Sequence, residues 1–590
     1  MPKFDRINGQ FVAVHCTFEE KDIFVRAGWN FDPTLKRWVT ADIDKAMPLS
    51  VYAIGVAQVH LDTEVQLQRG AIDASWAEET DAEYPSPDGL AYFPFQKAGI
   101  EYALDGDDTL FADPPGLGKT IQAIGVHNTL ACKRVLVICP ASLKVNWQRE
   151  WRRWDVHNRS VGIALSKARS KTRDGFTKTW VDHVWPETAV VIVNYDMLET
   201  FDDQVKGIDW DLLIVDEVHM LKGLKTVRTK CVFGGEVPSR KNAEGIKTRD
   251  KKYFTPVKAT RRLFLTGTPI MSRPVDLWTI VKALDPEGLG KSYEKFTKRY
   301  CAGFKDERGR WDASGKSNLI ELQRLLRTYF MVRRDKRSVL KELPDKLREI
   351  ILLPYDQLNI TIKKEKSRVE KALAQFEAVV GVDQAKKGFL FIDDLCAKID
   401  RLIGEQDTEE KSWEDAINQL TEPESILFTE ISSAREEVAL AKVPLVVAHV
   451  KSLIDAGEPV IVFGYHKSVI TALKKEFPGC SVVTGQTPPN KRQAQIDRFQ
   501  DGETDVIIGN ILAMGVGFTL TRARMVVFAE LDWVPSLIEQ AEDRAWRIGQ
   551  VNAVLIQHLV VDGSIEARQA IVIVERMGTI YRALDSREGG

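Results

Sequence analysis

The chain has 590 residues, 44% of them hydrophobic and 28% charged, with a formal net charge of −2. That length allows three or four domains with large buried cores, and the near-zero charge excludes a global basic field, so any hold on nucleic acid must come from local patches. Seven cysteines without a close C-x-x-C pair, no run of eighteen apolar residues and an N-terminus lacking a signal-peptide core give no expectation of a zinc ribbon, a disulfide framework or a membrane anchor.

Residues 1–80 read as a small α+β module: an apolar run, FVAVHC, a helix-like EEKDIFVRAGW, then FDPTLKRWVT with a proline turn feeding a β-rich end. Trp29, Phe31 and Trp38 either fill its core or face a ligand. Residues 81–90, within an acidic, proline-bearing stretch, read as a linker.

From 91 to 285 a strand–helix rhythm sets in. The runs RVLVICP, AVVIVNY, DLLIVDE and RRLFLTGTP are each followed by turn or helix signals, which predicts a parallel sheet flanked by helices with ligand loops at the strands' C-terminal ends. The most informative stretch is ADPPGLGKT, residues 112–120, between a predicted strand and a helix-like run. Backbone N–H groups of such a loop cradle phosphate oxygens, Lys119 neutralises the outer phosphates and the Thr120 hydroxyl reaches Mg²⁺. Asp113 stands where the common loop has its first glycine, and Gly116 and Gly118 follow. In WQREWRRW, Trp147, Trp151 and Trp154 share a helix face and read as core, while Arg149, Arg152 and Arg153 lie off that stripe.

Farther on, LLIVDEVH is an apolar strand ending in acids. Asp216 is the candidate magnesium ligand and Glu217 the group that orients and deprotonates a water. A basic insertion at 236–256 reads as a solvated loop or a DNA-facing one, and LFLTGTPI is a further strand ending in hydroxyl residues. Residues 286–440 lose the alternation and read as a largely helical protrusion and bridge. The rhythm returns over 441–590 in a second lobe without a phosphate loop of its own. There QAEDRAWRIGQ carries Arg544 and Arg547, three apart and hence on one face of a predicted helix, able to stabilise charge on a transferring phosphoryl group.

Together these motifs resemble the Swi/Snf-type DNA translocases of helicase superfamily two, over residues 93–571. TGTPIMSRPVDLW, RYCAGF and MVRRDKRSVLKELPDK resemble the annealing-helicase, fork-remodelling branch, and GWNFDPTLKRW in the first module resembles its HARP-type accessory domain. Two departures stand out: Pro114-Pro115 replaces an acid and a methionine, and Val218 replaces an alanine. The resemblance implies two RecA-like α/β lobes closing on one ATP with Mg²⁺. It assigns Phe95 and Gln96 to adenine, Pro115, Gly116, Leu117 and Gly118 to the phosphates with Lys119 and Thr120, and Gly515 and Gly517 to the nucleotide from the second lobe. It puts Ser142, Asn194, Thr268, Thr519 and Trp533 on a sequence-indifferent DNA track.

The activity so implied is a DNA-dependent ATPase that moves on duplex or forked DNA in replication, recombination or repair. An ATP-switched DNA clamp and a chromatin-type remodeller are the alternatives. DNA is the expected partner, with a single-strand-binding or replication protein beside it, in the cytoplasm of a bacterium or virus-infected cell or in a eukaryotic nucleus.

Overall fold

The computed structural model describes residues 1–590 except 42, 174–175, 242–246, 250, 271–272, 306–308, 310, 355–357, 381–419, 515–517, 533–534, 568–569 and 571–590. Residues 1–76 form one compact unit and most of the remaining chain another.

In the N-terminal unit, an antiparallel sheet runs in the order Lys3–Ile7, Gln10–His15, Arg37–Thr40, Asn30–Asp32. Its core is aromatic: Phe4 and Phe24 meet Trp29 with ring centroids 5.1 and 4.9 Å apart, and the Trp29 indole donates to the Lys45 carbonyl at 2.9 Å. The three aromatics therefore divide. Trp29 is core, Trp38 is half-buried, and Phe31 is 51% exposed with its ring edge-on to Trp38 at 5.4 Å. The proline turn joins the strands Asn30–Asp32 and Arg37–Thr40 as expected, and the unit closes with the helix Gly55–Trp76. Ala57 and Leu61, four apart, are buried on the helix face that packs into this core.

The first lobe is a seven-stranded sheet in the order Met331–Val332, Asp108–Phe111, Ala259–Leu265, Trp210–Asp216, Val135–Cys139, Val190–Asn194, Val161–Ile163, with every pair parallel. Alternate residues feed two cores. Leu136, Ile138, Val191, Val193, Leu213 and Val215 pack on one face, while Val135, Val137, Ile192, Leu212 and Ile214 pack on the other. Both faces are covered, which is why these strands read as unbroken apolar runs. Trp147, Trp151 and Trp154 of the helix Lys144–Trp154 belong to the second core, and the three arginines beside them are exposed.

The second lobe is a six-stranded parallel sheet: Lys346–Leu353, Val554–Val561, Met525–Phe528, Val460–Gly464, Val506–Asn510, Ser481–Val483. Its two faces are likewise packed with alternating residues.

The described residues of 286–440 are largely helical, and two strands within them join the sheets of the lobes. Met331–Val332 joins the edge of the first sheet and Lys346–Leu353 the edge of the second, so the stretch stitches the lobes together. Beyond it, the helices Asn359–Val380 and Glu422–Asp455 pair, with Arg368 reaching Glu430 at 2.7 Å. Several antiparallel strand pairs went unread in the sequence. Leu165–Arg173 pairs antiparallel with Phe176–Val184 across an Asp-Gly dipeptide, a hairpin signal. In the basic insertion, Gly235–Val237 pairs with Lys252–Phe254, and Lys251 and Lys252 are tied to Glu236 and Glu199 at 2.8 and 3.2 Å. Among the described residues no helix is long and apolar enough to cross a membrane.

Ile192 lies fully buried in its strand. Ile192→Ala is expected to cost about 2–5 kcal/mol and Ile192→Val about 0.5–1.5 kcal/mol, read as graded falls in the denaturant midpoint.

Candidate functional site

The loop after Asp108–Phe111 turns through Gly116 (φ +90°) and Gly118 (φ +76°) before the helix Lys119–Leu130 begins. Both glycines are required. A Cβ on Gly116 would stand 2.8 Å from the Arg547 Cβ, and one on Gly118 would stand 2.5 Å from Gln96 Nε2, in a backbone region other residues rarely adopt. Pro115 packs on Gly267, where a Cβ would lie 2.7 Å from the proline ring. Leu117 is buried and Thr120 half-buried at the helix start.

Gln96 and Phe95 are not open to a base. Gln96 is buried, accepting from the Phe93 N–H at 3.0 Å and donating to the Leu117 carbonyl at 3.2 Å, so it fastens the phosphate loop to the helix Pro94–Asp105. Phe95 is buried as well, with the Arg334 guanidinium 6.0 Å from its ring. The exposed aromatic is Phe93, stacked on Phe95 at 5.7 Å. Its place in the same FPFQ run was the available signal.

Lys119 folds back onto its own loop, donating to the Asp113 carbonyl at 2.7 Å and the Pro114 carbonyl at 3.4 Å. Burial lowers its pKa against the pull of Glu217, Asp113 and Asp216. Asp216 ends the strand Trp210–Asp216, and Glu217 follows in a left-handed conformation (φ 52°), strained for a non-glycine residue. Burial and then Glu217 push Asp216 up to about 7, although Trp147 Nε1 donates to its Oδ2 at 2.7 Å and the Glu217 N–H to its Oδ1 at 3.0 Å. Its carbonyl accepts from the Tyr195 hydroxyl. Burial opposes the charge on Glu217 too, but His219, 3.2 Å away, together with Lys119 and Arg544 holds it below the usual carboxylate range.

From this acid a polar chain crosses to the second lobe. His219 Nδ1 meets the Thr266 hydroxyl at 2.9 Å, the Thr268 N–H donates to that hydroxyl at 3.1 Å, and Gln540 Nε2 donates to the Thr268 hydroxyl at 2.8 Å. Thr268, expected on the DNA track, is thus buried between the lobes. Asn194 is buried too, its side-chain oxygen accepting from Lys144 Nζ at 2.9 Å. Ser142 is half-buried and Thr519 exposed. Gly515, Gly517 and Trp533 lie outside the described residues.

Arg544 and Arg547 are not on a helix. Pro535–Glu542 ends before them, and the turn that follows nonetheless aims both guanidinium groups at the Phe518 carbonyl, at 3.4 and 3.0 Å. Burial lowers both pKa values, that of Arg547 to about 10, and Arg544 lies close enough to Glu217 for the two charges to stabilise each other.

The connector between the lobes supplies cations that the spacing of motifs did not single out. Arg333 donates to the Ala112 and Gly267 carbonyls, and Arg334 forms a buried ion pair with Asp113, its Nε 3.0 Å from Oδ1, and a bond of 2.7 Å to Gln122. Lys336 donates to the Trp546 carbonyl, while Lys346 and Arg348 hold Glu542 and Asp543.

The pattern of the SNF2-related domain matches residues 71–234 and 243–401, more than half of the chain, and that of the helicase conserved C-terminal domain matches 442–549. The chain belongs to the SNF2-related family. It is similar to the SWI/SNF-related matrix-associated actin-dependent regulator of chromatin subfamily A-like protein 1 of Xenopus tropicalis, with 29% identity over 84% of this chain and 45% of that protein. It is also similar to the DNA annealing helicase and endonuclease ZRANB3 of Bos taurus, with 30% identity over 80% of this chain and 38% of that one. The chain therefore spans less than half the length of these two relatives. The solved SWI2/SNF2 ATPase core of Sulfolobus solfataricus in complex with dsDNA is 20% identical, covering 84% of this chain and 98% of its own, with a TM-score of 0.34.

Trp147 and Trp151 are equally buried, but only the first donates to a carboxylate; Trp151 Nε1 has no partner among the described residues. Trp147→Phe is expected to cost about 1.5–3 kcal/mol more than Trp151→Phe, measured by thermal or denaturant unfolding.

Proposed function

We propose that this protein is an ATP-hydrolysing motor that moves along duplex or forked DNA and remodels or anneals it in replication, recombination or repair. The observation that carries this reading is one crevice shared by Lys119, Asp216 and Glu217 of the first lobe and Arg544 and Arg547 of the second, with Gly116 in contact with Arg547. Lys119, Arg544 and Arg547 all have lowered pKa values because burial leaves them short of negative charge. A triphosphate is the ligand that supplies it.

Within that site, residues 115–120 bind the phosphates. Thr120 and Asp216 offer hard oxygen donors suited to magnesium, whose pull also favours the ionised form of an aspartate that burial otherwise holds half-protonated near neutrality. A magnesium ion there neutralises charge on the outer phosphates. Glu217, kept ionised by His219, accepts the proton of the attacking water, and the two arginines stabilise the charge that develops on the transferred group. Because Gln540 and Thr268 join the same crevice, a change at the phosphates reaches both lobes.

DNA contacts come from the exposed Arg149, Arg152 and Arg153, from Thr519 and from the loops around Ser142 and Asn194, and act on phosphates without reading sequence. Residues 1–80 serve as the HARP-like module that favours structured DNA, with Phe31 as its exposed aromatic. A single-strand-binding or replication protein is the expected partner, in the nucleus of a eukaryote or the cytoplasm of a bacterium.

ATP turnover is expected to rise with added DNA, to disappear in Lys119→Ala, and to fall on the order of 10³-fold in Arg547→Ala. Wild-type turnover by Lys119→Ala would refute the site. A triplex-displacement assay separates the motor from a clamp, since a clamp binds DNA and hydrolyses ATP but displaces no third strand.

A further inference from the structure

Buried cations surround the phosphate loop, and Lys336 is among those with no part in the mechanism above. It begins the short helix Lys336–Val339 in the connector and is 2% exposed. Its ammonium group donates to the carbonyl of Trp546, the residue immediately before Arg547, and lies 4.3 Å from the Trp546 ring centroid. On its other side it is 3.4 Å from where a Cβ on Gly116 would stand, the same glycine that Arg547 touches. One ammonium group thus borders both the phosphate loop and the arginine turn of the opposite lobe.

Its charge is poorly matched. The carboxylate facing it is Asp543, at 3.5 Å, and Lys346 binds that same group at 3.1 Å. The neighbouring Glu542 is taken by Lys346 and Arg348. Burial, with Lys346 and Arg547 adding repulsion against the pull of Asp543, pushes the Lys336 pKa down to about 7. A buried ammonium in this state gains most from a further anion, and the phosphate loop beside it is where one binds.

We propose that Lys336 is a nucleotide-sensing ligand that exchanges the Trp546 carbonyl for the terminal phosphate of a bound triphosphate and so reports the third phosphate to the arginine turn. The outermost phosphate is assigned because Lys336 shares Gly116 with Arg547, the arginine placed against the transferred group. This rests on the nucleotide-site reading above. It predicts that Lys336 distinguishes triphosphate from diphosphate, whereas a residue that only fastened the lobes would affect both alike.

The test is isothermal titration of the full chain with magnesium and either ADP or the non-hydrolysable analogue adenylyl imidodiphosphate. Lys336→Gln keeps a donor for the Trp546 carbonyl but removes the charge. It is expected to weaken the imido analogue about tenfold while leaving ADP within about twofold. Lys336→Arg, which keeps the charge, is expected to keep the preference for the triphosphate, and melting temperatures show whether each variant is folded. Equal weakening of both nucleotides, or no weakening of either, in Lys336→Gln overturns the proposal. Should that variant not fold, Lys336→Met carries the same expectation. A Lys119→Ala protein that binds both nucleotides as the wild type does would instead refute the underlying site, so the two failures are distinguishable.

Discussion

A fully buried carboxylate must be paired, and at Asp113 that requirement organises both lobes. Burial alone would raise its pKa, yet Arg334, through charge and hydrogen bonds and with Gln122 beside it, holds it below the ordinary range. Its stabilisation is present at neutral pH and is lost as pH falls through its depressed pKa. Removing either partner strands a buried charge, a loss of about 3–5 kcal/mol. Because Arg334 follows directly on Met331–Val332, the pair also fixes that strand at the sheet edge, brings Arg333 onto the Ala112 and Gly267 carbonyls, and sets where the chain leaves for the second lobe. The glycine loop after Asp108–Phe111 is held by the connector as much as by its own strand and helix.

That anchoring explains why the crevice is polar and yet ordered. The loop is pinned by Arg333 and Arg334 on one side and by Gln96 on another, so Gly116 approaches the arginine turn without a side chain of its own in between. The path from Glu217 through His219, Thr266 and Thr268 to Gln540 is a run of short-range hydrogen bonds across the lobes. Such a run transmits position because each buried polar group has few alternative partners once its neighbour moves.

Much of this was legible in the sequence, for identifiable reasons. Strands covered on both faces announce themselves as apolar runs, and five of the six strands of the second sheet and the central strands of the first were read that way. Glycine and lysine at fixed spacing picked out the loop 112–120, and acids at a strand end picked out Asp216 and Glu217, all of which the fold brings to one crevice. Three things were misread where long-range packing outvoted local pattern. Lys346–Leu353 carries the apolar run IILL but is an edge strand with Leu347, Ile350 and Leu352 exposed, and it lay inside a stretch read as helical. The three-residue spacing of Arg544 and Arg547 suggested a helix, but the helix stops at Glu542, where the carboxylate is drawn into bonds with Lys346 and Arg348. The resemblance put Thr268 and Asn194 on a DNA track, and no local signal could show that Gln540, 272 positions away, and Lys144, 50 positions away, would bond to them where they are buried.

The same buried bonds join the expected DNA face to the chemistry. Trp147 lies in the helix whose arginines face solvent, and its indole holds the Asp216 carboxylate; Tyr195, next to Asn194, holds the Asp216 carbonyl. Asp216 is therefore gripped at both ends by the two segments that resemble DNA-contacting motifs. Its ionisation is sensitive to that grip, since burial raises its pKa to about 7 and the Trp147 bond is the first of the groups opposing the rise. Trp147 and Tyr195 thus tie the position of this acid to both segments, one through its carboxylate and the other through its carbonyl.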